Sequence, residues 1–321
     1  MSIILLYFEP ERLREEWLAQ MQAAAPDMDV LVSRNRDEIE SVLDEIEIAV
    51  LSFPRDLLPK ARNLRWFQQW SAGADWLLRH PEAVELDFVL TSTSGMHAIQ
   101  IAEHIFAFLL AFARRIDQSV RHQARREWMP DEQKQAVFEL AGKTMVLIGV
   151  GAIGERTAQV AGAFGMRVLG VRRDPAKSVP GVESMFGPDR LLDVLPEADC
   201  VVVTAPLTSE TRKMIGEREL RAIKPTAYLV NIGRGGIIDE RALIQALDEG
   251  WIAGAGLDVF EEEPLPEDSP LWNADNVIIT AHYAGITPVY DERAMAIFLD
   301  NLKRYRAGKP LRNVVDKRLG Y

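Results

Sequence analysis

Two series of short apolar runs, each run separated from the next by a helical pattern, constrain this chain more than any other feature. In the first series "IILLYF" (3–8) is followed by the amphipathic "ERLREEWLAQMQAA", then "DVLVS", "RDEIESVLDEI", "IAVLSF", "LRWFQQW" and "DFVLTST". Strand and helix signals in turn imply a parallel sheet covered by helices on both faces. A long helical pattern over 98–126 follows, apolar in its first half and basic in its second. The next series starts at "KTMVLIGVGAIG", with strands expected over 144–149, 167–171, 199–204, 227–231, 253–258 and 276–280 and a further helix over 288–308. At 321 residues the chain exceeds what one hydrophobic core usually serves. The expectation is an α/β protein of two doubly wound parallel-sheet domains. One is made of 1–97 plus 286–321, and the other, 98–285, is inserted into it. A ligand cleft is expected between them, at the carboxyl ends of the strands.

Hydrophobic residues at 48 % and charged residues at 26 % suit a soluble enzyme. No apolar run approaches the ~20 residues of a membrane span, so no membrane association is expected. The opening "MSIILLYFEPER" lacks a basic lead and a small-residue cleavage site, and reads as a first strand. The single cysteine, Cys200, excludes an intramolecular disulfide and fits a reducing cytoplasm. A net charge of −11 argues against a nucleic-acid partner. The one basic cluster, 114–126, reads as the solvated or subunit-facing side of a helix.

The stretch "VLIGVGAIGERTAQ" places Gly149-x-Gly151-x-x-Gly154 between a β-branched run and an alanine-rich helix. The first glycine permits a tight turn, the second lets backbone approach a pyrophosphate, and the third lets helix and strand pack closely. Ala152 and Ile153 open the helix whose free N–H groups and positive end would meet the anion. The strand–turn–helix–strand context is what makes this short motif credible. "GKT" at 142–144 is not a Walker loop, because Val137 stands where its first glycine belongs. About 20 residues past the loop an NAD enzyme carries an acid for the ribose hydroxyls. Arg172 and Arg173 stand there instead, and guanidinium groups can grip a 2′-phosphate, so NADP(H) is expected over NAD(H). The alternative is a solvated arginine pair with Asp174 taking the acid's place.

Four further segments each follow a strand: "QWSAGADWLL" (69–78), "NIGRGG" (231–236), "GAGLDVFEEEPLP" (254–266) and "ITAHYAGITP" (279–288). In these motifs the chain resembles the D-isomer-specific 2-hydroxyacid dehydrogenases, the family of glyoxylate/hydroxypyruvate reductases, phosphoglycerate dehydrogenases and formate dehydrogenase. The likeness covers nearly the whole chain and is most specific across 142–288. It implies a Rossmann dinucleotide-binding domain inserted into a flavodoxin-like substrate domain.

The resemblance also implies a catalytic trio. Arg234 matches the arginine that binds the substrate carboxylate and carbonyl oxygen, work suited to a fixed planar cation. His282 matches the proton donor, and Glu263 the carboxylate that holds its imidazole. Asp258 matches a second acid near the nicotinamide. The N–H groups of Ala72 and Gly73 match a second hold on the carboxylate. Further cofactor contacts fall on Ala205, Pro206, Thr211, Ile232, Arg234, His282 and the Ala284-Gly285 pair. The glycines around Arg234 are expected to let substrate and cofactor approach the backbone there, and Asp239 to cap the next helix.

Met96 and Tyr283 are placed at the variable end of the pocket. His80, His97, His104 and His122 are read as structural, and Trp66, Trp70 and Trp76 as core. One departure is Ala281, where the family commonly has proline before the histidine. The expected activity is reduction of a small 2-oxoacid (glyoxylate, hydroxypyruvate or a larger 2-ketoacid) to a D-2-hydroxyacid, with NADPH preferred, NADH possible and no metal. A homodimer through the 98–140 arm with Trp128 is expected. The rivals are a phosphoglycerate, formate or phosphite dehydrogenase, and a cofactor-sensing corepressor-like protein, whose mark would be a damaged trio.

Overall fold

The computed structural model describes residues 2–321. The chain divides into two units, Met1–Met96 with Thr287–Tyr321, and His97–Ile286.

The first unit carries five parallel strands: β1 (Ser2–Leu6), β2 (Met28–Val32), β3 (Ile46–Leu51), β4 (Trp66–Gln69) and β5 (Val89–Thr91). They lie in the order β2-β1-β3-β4-β5, which is the flavodoxin-like order. Successive side chains of a strand point to opposite faces, and here both faces are buried. Ile3 and Leu5 enter a core with Ile39, Leu57 and Phe67, while Ile4 and Leu6 enter another with Trp17, Met21 and Trp66. That double burial explains why β1 reads as an unbroken apolar run. The helix Tyr290–Arg306 covers the second face and stacks Phe298 on Trp66, ring centroids 5.3 Å apart. Trp66, Trp70 and Trp76 are all core residues. Ala72 and Gly73 lie in the loop after β4. Gln69 Nε2 donates to the carbonyl oxygens of Gly73 (2.8 Å) and Ser71 (3.1 Å) and so sets the shape of that loop.

The second unit carries seven parallel strands: β6 (Thr144–Ile148), β7 (Arg167–Val171), β8 (Ser184–Phe186), β9 (Cys200–Val203), β10 (Tyr228–Asn231), β11 (Gly254–Leu257) and β12 (Val277–Ile279). Their order, β12-β11-β10-β9-β6-β7-β8, is the Rossmann arrangement with one further strand. Again alternate residues feed two cores: Val146, Ile148, Val201 and Val203 on one face, Met145, Leu147, Cys200 and Val202 on the other. Burial pushes the Cys200 thiol pKa well above its ordinary value.

Two expectations need correction. Strand β8, "SMF", lies at the sheet edge and is too short and too mixed to carry a strand signal. The single helix expected over 98–126 is two, Ala98–Ala113 and Ile116–Arg125. The buried stripe of the first ends at Phe112 and Ala113, and Arg115 then turns the chain with φ +55°, a left-handed conformation that stops an α-helix. Asp239 does cap the helix Glu240–Asp248, accepting from the amide of Ala242.

The chain enters this unit at His97 and leaves it at Ile286. The two ends meet: Gln100 Nε2 donates to the Gly285 carbonyl oxygen at 3.0 Å, and a Cβ on Gly285 would stand 3.2 Å from the His97 ring. Among the described residues no helix is long and apolar enough to cross a membrane.

Phe298 is fully buried, so Phe298→Ala should destabilise the first unit by about 3–5 kcal/mol. Urea unfolding followed by tryptophan fluorescence would read this. A shift under about 1 kcal/mol would contradict the stacking described.

Candidate active site

The motifs of the second unit fall on the loops after β6, β7, β9, β10, β11 and β12, where a parallel α/β sheet presents its ligand sites. Gly149, directly after β6, has φ +93°. Its amide donates to the Val171 carbonyl at 2.8 Å, and a Cβ there would lie 2.4 Å from the Ala205 nitrogen. A Cβ on Gly154 would lie 2.6 Å from the Gly149 carbonyl oxygen, so helix and strand touch. Gly151 differs, since nothing lies within 4 Å of a Cβ built on it. The helix Ala152–Ala163 begins there with no side chain capping its amides. An open, uncapped helix end after a tight turn fits a dinucleotide pyrophosphate.

Arg172 follows β7, with its amide tied to the Phe186 carbonyl at 2.9 Å. Arg172 is half-buried and Arg173 exposed. Asp174 folds its carboxylate back on the Ala176 amide at 3.2 Å, which engages it within its own turn. Beyond β9, Ala205 is buried against Gly149. The Thr211 hydroxyl donates to the Pro206 carbonyl at 2.6 Å and accepts the Thr208 amide at 2.8 Å. A hydroxyl has one proton, so Thr211 shapes this turn and offers no side-chain donor to a ligand.

The loop after β10 is held by buried Asn231. Its Oδ1 accepts the Gly233 amide and its Nδ2 donates to the Arg234 carbonyl, both at 3.1 Å. Ile232 is buried beside it. Arg234 Nη1 donates to the Gly233 carbonyl at 2.7 Å. The reason expected for the flanking glycines is overturned. A Cβ on Gly233 would be 2.8 Å from the Ala205 carbonyl oxygen, and one on Gly235 1.8 Å from the Phe260 carbonyl carbon. The protein's own backbone, on two neighbouring loops, occupies the space that a ligand was expected to need. One result is that the Arg234 turn is packed against Phe260 and Glu261, the start of the segment that carries Glu263.

Glu263 and His282 are in direct contact: Glu263 Oε2 lies 2.6 Å from His282 Nδ1, and Oε1 accepts the Phe260 amide at 3.0 Å. The carboxylate is thus braced on its own loop and paired with the ring. The pairing takes up Nδ1 and leaves Nε2 for other work. Asp258 is 2 % exposed, and its carboxylate serves the neighbouring loop. It accepts the Tyr283 and Ala284 amides, each at 3.0 Å, and the Thr280 hydroxyl at 2.6 Å. Asp258 thus clamps the segment around His282. Thr280 was not singled out from sequence. Neither was His104 beyond a structural role, although its Nε2 lies 3.0 Å from the Thr280 hydroxyl. Burial lowers the His104 pKa, with nearby Asp258 opposing. A polar ring on the apolar stripe of Ile101, Ile105 and Phe108 was the available signal.

A Rossmann sheet with an open glycine loop, and an imidazole–carboxylate pair on the same edge, defines a dinucleotide-dependent oxidoreductase. The family model for the D-isomer-specific 2-hydroxyacid dehydrogenase NAD-binding domain matches residues 106–284. A relative named glyoxylate reductase, from Aeropyrum pernix, is 40 % identical over 271 residues, 82 % of this chain and 79 % of that protein. Among solved structures, a D-isomer-specific 2-hydroxyacid dehydrogenase from Xanthobacter autotrophicus Py2, in complex with NADPH and MES, aligns with a TM-score of 0.85 and 32 % identity, covering 100 % of this chain and 99 % of that one. An NADPH-dependent glyoxylate/hydroxypyruvate reductase from Sinorhizobium meliloti, in complex with NADP and sulfate, aligns with a TM-score of 0.84 and 28 % identity, covering 100 % of both chains. The chain belongs to the D-isomer-specific 2-hydroxyacid dehydrogenase family.

The two kinds of glycine should separate experimentally. Gly151→Ala should leave the unfolding free energy within about 0.5 kcal/mol of the parent while weakening dinucleotide binding at least about tenfold. Gly235→Ala forces a carbon into the Phe260 backbone and should cost more than about 3 kcal/mol or prevent soluble expression. Equal stability of the two variants would refute the assignment of Gly235 to internal packing.

Proposed function

We propose that this protein reduces small 2-oxoacids of the glyoxylate or hydroxypyruvate kind to D-2-hydroxyacids, using NADPH in preference to NADH. The observation that carries the reading is the 2.6 Å pair of Glu263 and His282 on the same sheet edge as the open glycine loop. The names of the relatives from Aeropyrum pernix and Sinorhizobium meliloti support this substrate class. Arg172 and Arg173, at the end of β7 with the Asp174 carboxylate engaged on the Ala176 amide, support the 2′-phosphate.

Bound NADPH supplies the hydride. The Arg234 guanidinium holds the substrate carboxylate and faces the carbonyl oxygen as that oxygen gains charge. Glu263 fixes the His282 ring through Nδ1, so Nε2 is the nitrogen that delivers a proton to the same oxygen. Gly149, Gly151, Ala152, Ile153 and Gly154 would hold the pyrophosphate, and Ala205, Pro206, Ile232 and Gly285 would line the rest of the coenzyme's path. A homodimer through the 98–140 arm, with Trp128 exposed on it, belongs to the same proposal.

His282→Ala should lower kcat by roughly 100-fold or more while NADPH still binds. Arg234→Ala should raise KM for the oxoacid and lower kcat together. A 2-oxoacid panel run with NADPH and NADH in parallel tests both halves of the reading. Near-normal turnover by His282→Ala would discard the proton-donor role, and a kcat/KM ratio of NADPH over NADH at or below one would discard the coenzyme preference.

A further inference from the structure

His282 has φ +52°, a left-handed conformation disfavoured for any residue with a Cβ. Ala281 before it gives none of the rigidity that a proline would. Something else must hold this turn, and the hydrogen bonds identify it. The His282 amide donates to the Asp258 carbonyl oxygen at 2.8 Å. The next two amides, those of Tyr283 and Ala284, end on Oδ1 and Oδ2 of the Asp258 carboxylate. Beyond that backbone bond, the turn depends on the carboxylate for its next two amides.

The carboxylate is fixed in turn from the other side. Thr280 spends its one hydroxyl proton on Asp258 Oδ1 at 2.6 Å, so toward His104 its oxygen can only accept. His104 Nε2, 3.0 Å away, must then carry a hydrogen. The ring cannot easily turn to offer another atom. It meets the Phe108 ring at 4.8 Å and the Tyr283 ring at 5.4 Å, both nearly perpendicular. The Nε2–H of a residue on the helix Ala98–Ala113 is thus directed through one hydroxyl onto the acid that organises the His282 turn.

We infer that His104 is a positioning residue for His282, acting through Thr280 and Asp258. It touches neither substrate nor coenzyme in this role. It restricts the Thr280 hydroxyl, and through it the Asp258 carboxylate, so that the 282–284 amides have one arrangement and His282 Nδ1 stays on Glu263. The inference rests on the reading of His282 as proton donor.

The test compares His104→Phe, which keeps a ring between Phe108 and Tyr283 but removes the donor, with His104→Gln, whose amide nitrogen can stand near the place of Nε2. His104→Phe should lower kcat by roughly 10- to 100-fold, the size expected of a small misplacement of a reacting group. Its NADPH Kd, read by fluorescence titration, should stay within twofold of the parent. His104→Gln should recover most of the loss. Thr280→Val should resemble His104→Phe, and the double variant should be no worse than either. Nitrogen-15 spectra of the labelled holoenzyme should show His104 as the Nε2–H tautomer.

Parental kcat in His104→Phe, an additive double variant or an Nδ1–H tautomer would overturn the inference. So would a parallel loss of kcat, NADPH affinity and melting temperature that glutamine does not repair. His282→Ala separates the two claims. If it is inactive while His104→Phe is unaffected, only the positioning role falls. If it turns over normally, the proton-donor reading falls first.

Discussion

The carboxyl edge of the seven-stranded sheet is built by backbone touching backbone. Gly149 lies on Ala205, Gly233 on the Ala205 carbonyl and Gly235 on Phe260. None of these approaches leaves room for a Cβ, so four loops from β6, β9, β10 and β11 share one closely packed line. The positions of Arg234 and of the Glu263 loop follow from it. A guanidinium carried on a turn wedged between two neighbours has little freedom to wander, and such prior fixing lets electrostatic groups work without reorganisation.

The same edge shows two kinds of space. Inside the line, glycine serves the protein's own contacts. At Gly151 nothing approaches, and the amides of a twelve-residue helix open onto that spot. Helix geometry alone suits that spot to an anion. Choice between dinucleotides is a separate matter, proposed above to rest with the paired arginines at the end of β7.

Much of the fold could be read from the sequence because strands buried on both faces appear as nearly continuous apolar runs. β1, β6 and β9 are the clearest cases. β8 could not be read that way, being three residues at an edge with only one neighbouring strand. The break at Arg115 was hidden because helical periodicity continues through 114–126 and only the backbone angle reveals the turn. The glycine motifs were legible as motifs, but a sequence does not say which backbone comes close, and at 233 and 235 it is the protein's own. His104 was read as a core histidine for a similar reason: its partner Thr280 is 176 residues away along the chain, so no local pattern joins them. The Glu263–His282 contact spans 19 residues, and only the family likeness pointed to it.

Gln100 and Gly285 join the two places where the polypeptide passes in and out of the seven-stranded unit. A module whose ends meet like a clasp can be gained or exchanged by a gene without threading the host around it. By the same geometry, a short peptide bridging Ile286 to His97 would close this segment into a ring, and new ends could be opened at an exposed turn elsewhere. The coenzyme-binding half of the enzyme is in that sense a portable cassette.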